Sequence, residues 1–271
     1  MKSNFALTGL MLAVCALAMA QENTPGRIVV PARNGNRTRT VEADLLYGGI
    51  TVRAGSGGDI VVDVPPSQAR RMAAARPKGT EGMRRIDESP FEPVQVQEDG
   101  DTVRIAVRMG HSMASGLTVT VPVNTALNIK CMHGSIKVEG VHGDISASDT
   151  NGSIELTNVA GTILANTTQG SVKAVLDRLG DKPSSFVTLN GNVDVTLPAE
   201  TRATFKMKTM HGEIWSDFDV KTTGGPGGVI TRGNAGRRTM EFDRTITGTI
   251  NGGGTEVVLQ TFNGRILIHK K

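Results

Sequence analysis

Cysteine, aromatic residues and long apolar runs are all scarce in this sequence of 271 residues. Two cysteines are present, Cys15 and Cys131, and aromatic residues make up 3% of the chain. If an N-terminal segment is removed on export, only Cys131 remains, so no intramolecular disulfide can form and the fold must rest on its β-ladders and core. Tyr47 and Trp215 are the only tyrosine and tryptophan, which disfavours the stacked aromatic platform of a carbohydrate-active enzyme.

The chain has no large excess of one charge that would indicate a nucleic-acid interface. The net charge is +4 at pH 7, and residues of opposite charge are interspersed along the chain. An interface with nucleic acid needs basic residues clustered on one face. The composition therefore predicts a soluble surface and no nucleic-acid partner.

The one long apolar run lies at the N-terminus. Lys2 precedes an apolar segment at residues 5–17, and Ala18 and Ala20 flank Met19 in a small-x-small cleavage site. These features predict a signal peptide over residues 1–20, cleaved near Ala20. No later stretch approaches the length of about 20 residues that a transmembrane helix needs. We therefore expect a periplasmic, cell-surface or secreted protein with no membrane span.

Glycine is abundant instead, with 33 residues, and it recurs every nine residues between residues 133 and 175. Two positions after each of these glycines stands a β-branched apolar residue. The glycines are Gly134, Gly143, Gly152, Gly161 and Gly170, and the apolar residues are Ile136, Ile145, Ile154, Ile163 and Val172. Self-similarity at a fixed period indicates a repeat architecture.

The full repeat is eighteen residues long, because successive nine-residue units differ. The next inward position alternates between a large residue and alanine, as in Val138, Ala147, Leu156 and Ala165. Residues two apart in a strand share a face, so each coil offers two short strands whose apolar face is buried only when coils stack. The sequence predicts an all-β, single-domain β-solenoid, β-helix-like or β-roll-like, with eighteen-residue coils made of paired nonads.

A Thr-x-Asn-Gly tetrad precedes several of these strands, for example at residues 188–191 and 261–264, and His replaces Asn in some copies. Asn and His tolerate positive φ better than most residues. We therefore expect the Asn and His residues of the tetrads to lie in turns.

The positions at which the repeat occurs and is interrupted define the domain organisation. We expect a flexible N-terminal linker over residues 21–40, with a short strand at residues 27–30 as the alternative, and one solenoid domain over 41–271, interrupted by a basic loop at 65–93 and a glycine-rich loop at 221–239. The basic residues of the first loop are Arg70, Arg71, Arg76, Lys78, Arg84 and Arg85. A basic run is usually a solvated loop, and the alternative is a peripheral contact with anionic lipid or lipopolysaccharide.

The x-G-x-I-x-V-x-x-V-x-G-x-I-x-A run, the Thr-x-Asn-Gly turns and the closing GGGTEVVLQTFNGRILI resemble the bacterial putative-adhesin family of unknown function. The likeness covers residues 41–268. It implies an exported or surface-exposed protein with a β-helix-like or β-roll-like fold and a non-enzymatic role. No catalytic residues come with this resemblance.

The available side chains bear on two kinds of metal site, one for calcium and one for copper. The chain lacks the aspartate ladder of calcium-binding β-rolls, because serine and threonine stand where aspartate would be needed. The candidate ligands for a periplasmic copper site are Met109, His111, Met113, Cys131 and His133, since soft sulfur and imidazole suit copper. However, His133 occupies the tetrad slot that asparagine fills elsewhere, and methionine is a common core filler. We therefore expect no metal and no cofactor.

A β-helix carbohydrate-active enzyme is the remaining alternative. Glycoside hydrolysis needs a pair of carboxylates at a set separation, whereas Glu139, Asp144 and Glu155 are scattered among Ser, Thr and Lys. We therefore predict no enzymatic activity. The sequence favours a structural or interaction module of the cell envelope that presents polar β-ladder faces to a protein or glycan partner.

Overall fold

The computed structural model describes residues 26–32, 38–65, 94–107, 116–223, 228–232 and 239–271. These residues form strands and turns and no helix, so within them no helix is long and apolar enough to cross a membrane. The predicted signal peptide lies outside the described residues, and so do residues 66–93 of the basic loop.

The strands, most of which belong to two large sheets, alternate from one sheet to the other between residues 117 and 222. In chain order they are β1 (Arg27–Val30), β2 (Thr40–Tyr47), β3 (Ile50–Gly55), β4 (Ile60–Asp63), β5 (Val94–Asp99), β6 (Thr102–Val107), β7 (Leu117–Pro122), β8 (Ala126–His133), β9 (Ile136–Glu139), β10 (Ile145–Asn151), β11 (Ile154–Gly161), β12 (Ile163–Gln169), β13 (Val172–Leu179), β14 (Ser184–Asn190), β15 (Val193–Leu197), β16 (Ala203–His211), β17 (Ile214–Ser216), β18 (Lys221–Thr222), β19 (Gly228–Arg232), β20 (Thr239–Asp243), β21 (Ile246–Ile250), β22 (Thr255–Asn263) and β23 (Ile266–Lys270).

Parallel strands of successive coils lie side by side. One sheet contains β8, β10, β12 and β14 in that order, and the other contains β9, β11, β13 and β15. Ile145 pairs with Leu127 on one side and with Ile163 on the other, so each neighbour is eighteen residues away. The predicted all-β solenoid of eighteen-residue coils is thereby confirmed.

The core lies between the two sheets. In the strands of the repeat, every second side chain points into it. Ile136, Ile145, Ile154 and Ile163 are at most 1% exposed. Burial of each such side chain contributes roughly 1.5–3 kcal/mol, and each row continues from coil to coil, so the stack stabilises coils that could not fold alone.

Spatial order departs from chain order at the C-terminal end. There β22 lies between β14 and β16, and β23 lies between β15 and β17. The last coil of the sequence is therefore inserted between two coils that follow each other along the chain. Asn263 consequently pairs with Asn190 on one side and with His211 on the other.

Two segments expected as linker or loop contain strands. In the linker at 21–40 the alternative of a short strand is the one present, as β1, which pairs antiparallel with β4. The expected glycine-rich loop at 221–239 includes β18 and also β19, which pairs antiparallel with β20. The β-branched residues in these stretches, Ile28 to Val30 and Val229 to Thr231, favour strands and outweigh the flanking glycine and proline.

Candidate interaction surface

The repeated glycines lie at two corners of the solenoid, where the chain passes between the sheets and neighbouring coils approach closely. Gly143 and Gly161 lie at one corner, and Gly134, Gly152 and Gly170 lie at the other. The glycines of this second corner, together with their equivalents Gly48, Gly191, Gly264 and Gly212, are here called the corner glycines. The backbone N–H of Gly152 donates to the carbonyl oxygen of Gln169 at 2.9 Å. On the other side, a Cβ at position 152 would collide with the carbonyl oxygen of Gly134. Glycine is needed at this position because the neighbouring backbone leaves no room for a side chain.

The prediction of turn conformations for the tetrad Asn and His residues is confirmed at Asn251 but is wrong for the tetrads at the corner. Among the described non-glycine residues, only Asn158 and Asn251 have positive φ. Asn151, Asn190 and His133 are instead the last residues of strands β10, β14 and β8. The parallel ladder extends to the corner itself, so these residues keep an extended backbone.

The tetrad threonines point inward and bond to the corner. The hydroxyl of Thr167 donates to the carbonyl oxygen of Gly152 at 2.8 Å, and that of Thr188 donates to Gly170 at 2.7 Å. Each bond joins one coil to the glycine of its neighbour. We call this row of inward residues three positions before each corner glycine the threonine column.

Cys131 and His133, two of the copper candidates, have other partners. Cys131 occupies the threonine column, and its thiol donates to the carbonyl oxygen of Gly48 at 3.2 Å. The ring of His133 stacks on Tyr47 with centroids 5.2 Å apart, and its Nδ1 lies 3.2 Å from Nδ2 of Asn151.

The other copper candidates, Met109, His111 and Met113, lie outside the described residues. Among the residues that the structure does describe, no group of three or more His, Cys, Asp and Glu side chains is arranged to hold a metal ion.

We expect the thiol of Cys131 to be unreactive in the folded protein. Burial raises its pKa to about 11, and the charge of Asp149 adds to the increase. Because the thiolate is the nucleophile and an ordinary cysteine has a pKa of about 8.5, alkylation at pH 8 should be roughly a hundredfold slower in the folded state than in urea. Iodoacetamide labelling followed by peptide mass spectrometry measures both rates, and equal rates would contradict the buried hydrogen bond.

The residues immediately before the corner glycines point outward and form a continuous column, here called the corner ladder. Its members in spatial order are Tyr47, His133, Asn151, Gln169, Asn190, Asn263 and His211. Adjacent amides bond to each other, as where Nδ2 of Asn263 donates to Oδ1 of Asn190 at 2.7 Å. Since neighbouring strands are about 4.8 Å apart, the corner ladder presents polar groups at a regular interval along the rod.

An open depression of about 460 Å³ lies at the C-terminal end of this corner. It exists because β22 and β23 are inserted there, which places the turns of three coils side by side. Its lining consists of Asn192, His211, Gly212, Glu213, Gly264 and Arg265.

Two exposed aromatic rings flank the depression. Phe262 is 43% exposed and meets the ring of His211 edge-on, with centroids 5.4 Å apart. Trp215 is 60% exposed, and its indole N–H donates to Oε2 of Glu213 at 3.1 Å. A polar depression thus has an apolar surface on each side.

A cluster of charged residues lies beside Trp215, on the outer face of the sheet that contains β15, β23 and β17. Nδ1 of His269 lies 3.0 Å from Oδ2 of Asp217, and Nε2 lies 3.7 Å from Oδ1 of Asp194. The bond to His269, together with one from the backbone N–H of Lys270, lowers the pKa of Asp217. Carboxylate character therefore predominates next to the indole.

The scattered acids of the repeat form ion pairs across coils. Glu139 lies 2.9 Å from Nε of Arg53, and Glu155 lies 3.2 Å from Nζ of Lys137. Asp144 accepts a hydrogen bond from Lys182, which lowers its pKa. These acids of the repeat are therefore used in ion pairs between coils and, among the described residues, are not paired with one another.

Asp149 is the unusual residue that the repeat pattern did not bring out. It stands in the threonine column between Cys131 and Thr167 and is 5% exposed. Neither carboxyl oxygen has a hydrogen-bond partner among the described residues. Burial raises its pKa to about 6, an increase that the nearby backbone N–H groups of Asn151 and Thr150 partly offset. The sequence signal was an acid at the position where most other tetrads have threonine.

The Toastrack DUF4097 family model matches residues 49–239, which is more than half of the chain. The chain belongs to the Toastrack DUF4097 family. This membership confirms the resemblance to an adhesin-like family of unknown function. The matched range ends before β22 and β23, the coil that builds the depression.

No curated protein matches this Toastrack chain significantly. Among solved structures, a putative cell adhesion protein from Clostridium sporogenes is 11% identical, with 92% of this chain and 100% of that chain covered and a TM-score of 0.38. A putative adhesin from Bacteroides fragilis is 9% identical, with 90% and 96% covered and a TM-score of 0.25. At these scores neither likeness defines the fold or the function of this chain.

Proposed function

We propose that this Toastrack protein is an exported, non-enzymatic protein of the cell envelope, a single adhesin-like domain that presents polar β-ladder faces to a protein or glycan partner. The corner ladder is the observation that supports the proposal. It aligns exposed amide, imidazole and phenol groups across the stacked coils, from Tyr47 to His211.

The chemistry of the corner ladder suits recognition. Each side-chain amide carries two donor hydrogens and an acceptor oxygen, so Asn190 and Asn263 keep bonding capacity beyond the bond that they share. The strands beneath hold these groups in place, so binding orders little additional structure. Regular repetition along the rod favours an extended partner, because many weak contacts then act together.

Two sequence features outside the described residues support the proposed location in the cell envelope. The predicted signal peptide at residues 1–20 would direct export. The basic loop at 65–93 would give a peripheral contact with an anionic envelope component. Cell fractionation tests the location, and recovery of the protein in the cytoplasmic fraction alone would contradict it.

Capture from envelope extract tests the interaction. The immobilised full chain should retain a partner, and Gln169→Ala combined with Asn190→Ala should reduce its recovery at least tenfold. A matched pair on the outer face of the other sheet, Lys173→Ala with Thr196→Ala, should leave recovery unchanged. A third arm, with residues 65–93 deleted, separates the basic loop from the corner ladder. If both alanine pairs behave like the unmodified chain, the corner ladder is not the binding surface.

A further inference from the structure

We propose that the C-terminal depression is a carbohydrate subsite, which binds a short segment of a neutral hexopyranose polysaccharide with Trp215 as its stacking surface. This inference rests on the proposed function, because it selects the glycan among the partner classes. It also places the contact at one end of the solenoid.

The column of residues just after the corner glycines changes character at the depression. In the preceding coils these residues are Ser135, Ser153 and Ser171, and Oγ of Ser153 accepts a hydrogen bond from the backbone N–H of Ser171 at 3.2 Å. The regular coils therefore use the column for short bonds between coils and leave little chemistry for a ligand.

At the depression the same column contains Asn192, Arg265 and Glu213. The guanidinium of Arg265 and the Nδ2 group of Asn192 donate hydrogen bonds, and the carboxylate of Glu213 accepts them. Oδ1 of Asn192 accepts a bond from the backbone N–H of Arg265 at 2.9 Å, which holds the amide in place. A sugar hydroxyl is at once a donor and an acceptor, so this set matches a group of neighbouring hydroxyls better than it matches a single ion.

Trp215 adds the apolar part of the site. Its ring is mostly exposed, and the bond from its N–H to Glu213 fixes the indole at the edge of the depression. The C–H face of a pyranose ring could cover this indole, while its hydroxyls reach the polar lining. Large aromatic side chains contribute much of the contact energy in such sites, and Phe262 offers a second ring beyond His211.

The local charge favours a neutral sugar over an anionic surface. Glu213 contacts Trp215 directly, Asp217 is two residues along the chain, and Asp194 lies across Leu267 in the same sheet. Among the described residues of the lining, Arg265 supplies the one guanidinium, and these carboxylates around it disfavour phosphate headgroups and polyuronic acids. Because the depression is open rather than enclosed, a unit within an extended chain fits it better than a small molecule that must be engulfed.

Intrinsic fluorescence tests the proposal directly, because Trp215 is the only tryptophan. The full chain is titrated with cellotetraose, maltotetraose and the tetramer of β-1,4-linked N-acetylglucosamine, with excitation selective for tryptophan. At least one of these should change the emission saturably. Tetragalacturonate and vesicles of phosphatidylglycerol serve as the anionic arms and should leave it unchanged.

Calorimetry with the oligosaccharide that binds then measures how much individual side chains contribute to the affinity. Trp215→Ala should weaken binding at least tenfold, and Glu213→Gln should weaken it several-fold. Leu164→Ala removes an exposed apolar side chain, 46% exposed, away from both the depression and the corner ladder, and it should change affinity less than twofold.

Three outcomes would overturn the inference: no response to any of the neutral oligosaccharides, a response to the vesicles alone, or equal affinity in Trp215→Ala and Leu164→Ala. If envelope extract still yields a partner that depends on Gln169 and Asn190, the proposed function stands and only the subsite fails. If the full chain captures nothing, the proposed function itself fails.

Discussion

Gly152→Ala is expected to lower the free energy of unfolding by more than about 4 kcal/mol, an effect in the range that only severe core defects reach. The new Cβ would collide with the carbonyl oxygen of Gly134 and lie 2.7 Å from Oδ2 of Asp149. Neither obstacle can move easily, because Gly134 and Gly152 are both bonded through their backbone N–H groups to the next coil. Interiors packed to native density transmit such strain rather than absorb it.

Gly57→Ala is the matched control for this glycine. The nearest atom to a Cβ there is the backbone nitrogen of Asp59 at 3.9 Å, and the backbone is not in the left-handed region. Alanine at such a position restricts the unfolded chain and should stabilise by up to about 1 kcal/mol. Urea denaturation followed by circular dichroism gives both values. If the two variants had the same midpoint, close coil packing would not explain the recurring glycine.

The nine-residue period predicted the fold correctly because it reflects physical constraints that act at every coil. Ile136 and Val138 share one face of their strand, and Ile145 pairs with Ile163 eighteen residues on, so the core and the register can both be inferred from spacing. The reason for the glycines could not be inferred in this way. Glycine is compatible both with positive φ and with close backbone approach. Close approach alone applies at Gly152, whereas Gly161 and Gly170 combine it with positive φ, and only the path of the neighbouring coil shows this difference.

The candidate surface was less predictable than the fold. Residues 255–270 carry the same repeat pattern as every other coil, so nothing local indicates that they insert between β14 and β16. The depression depends on this insertion, because Arg265 is far in the chain from Asn192 and Glu213. Trp215 was noted only as a scarce residue. Its exposure beside Glu213 is a tertiary feature, and the spacing of residues carries no information about it.

Asp149→Thr is expected to raise the free energy of unfolding at pH 7 by about 1–3 kcal/mol, the upper end being the full pKa shift without solvent screening. The pKa of Asp149 is raised from 3.8 to about 6, and each unit of such a shift corresponds to about 1.4 kcal/mol. Threonine is the residue of the neighbouring coil, Thr167, and would bring an uncharged hydroxyl to the same slot. By the register of the threonine column, its acceptor would be the carbonyl oxygen of Gly134.

The gain should depend on pH with a definite sign. Because the folded state holds the proton of Asp149 more tightly, the unfolded state loses its proton first as the pH rises from about 4 to about 6. The unmodified protein should therefore lose stability through this window and remain destabilised above it. Below about pH 4 the carboxyl is protonated in both states and can donate a hydrogen bond as the threonines do, so the variant should gain little there.

Urea denaturation at pH 4 and pH 7 measures this difference, with Asp181→Thr as the control because Asp181 is exposed. The control should shift stability by less than about 0.5 kcal/mol at either pH, as surface substitutions usually do. If Asp149→Thr gave the same change at both pH values, burial of an ionisable carboxyl would not be the cause. If it destabilised the protein at pH 7, the carboxylate would have a compensating partner. The expected result would make Asp149 the one member of the threonine column that opposes folding at neutral pH.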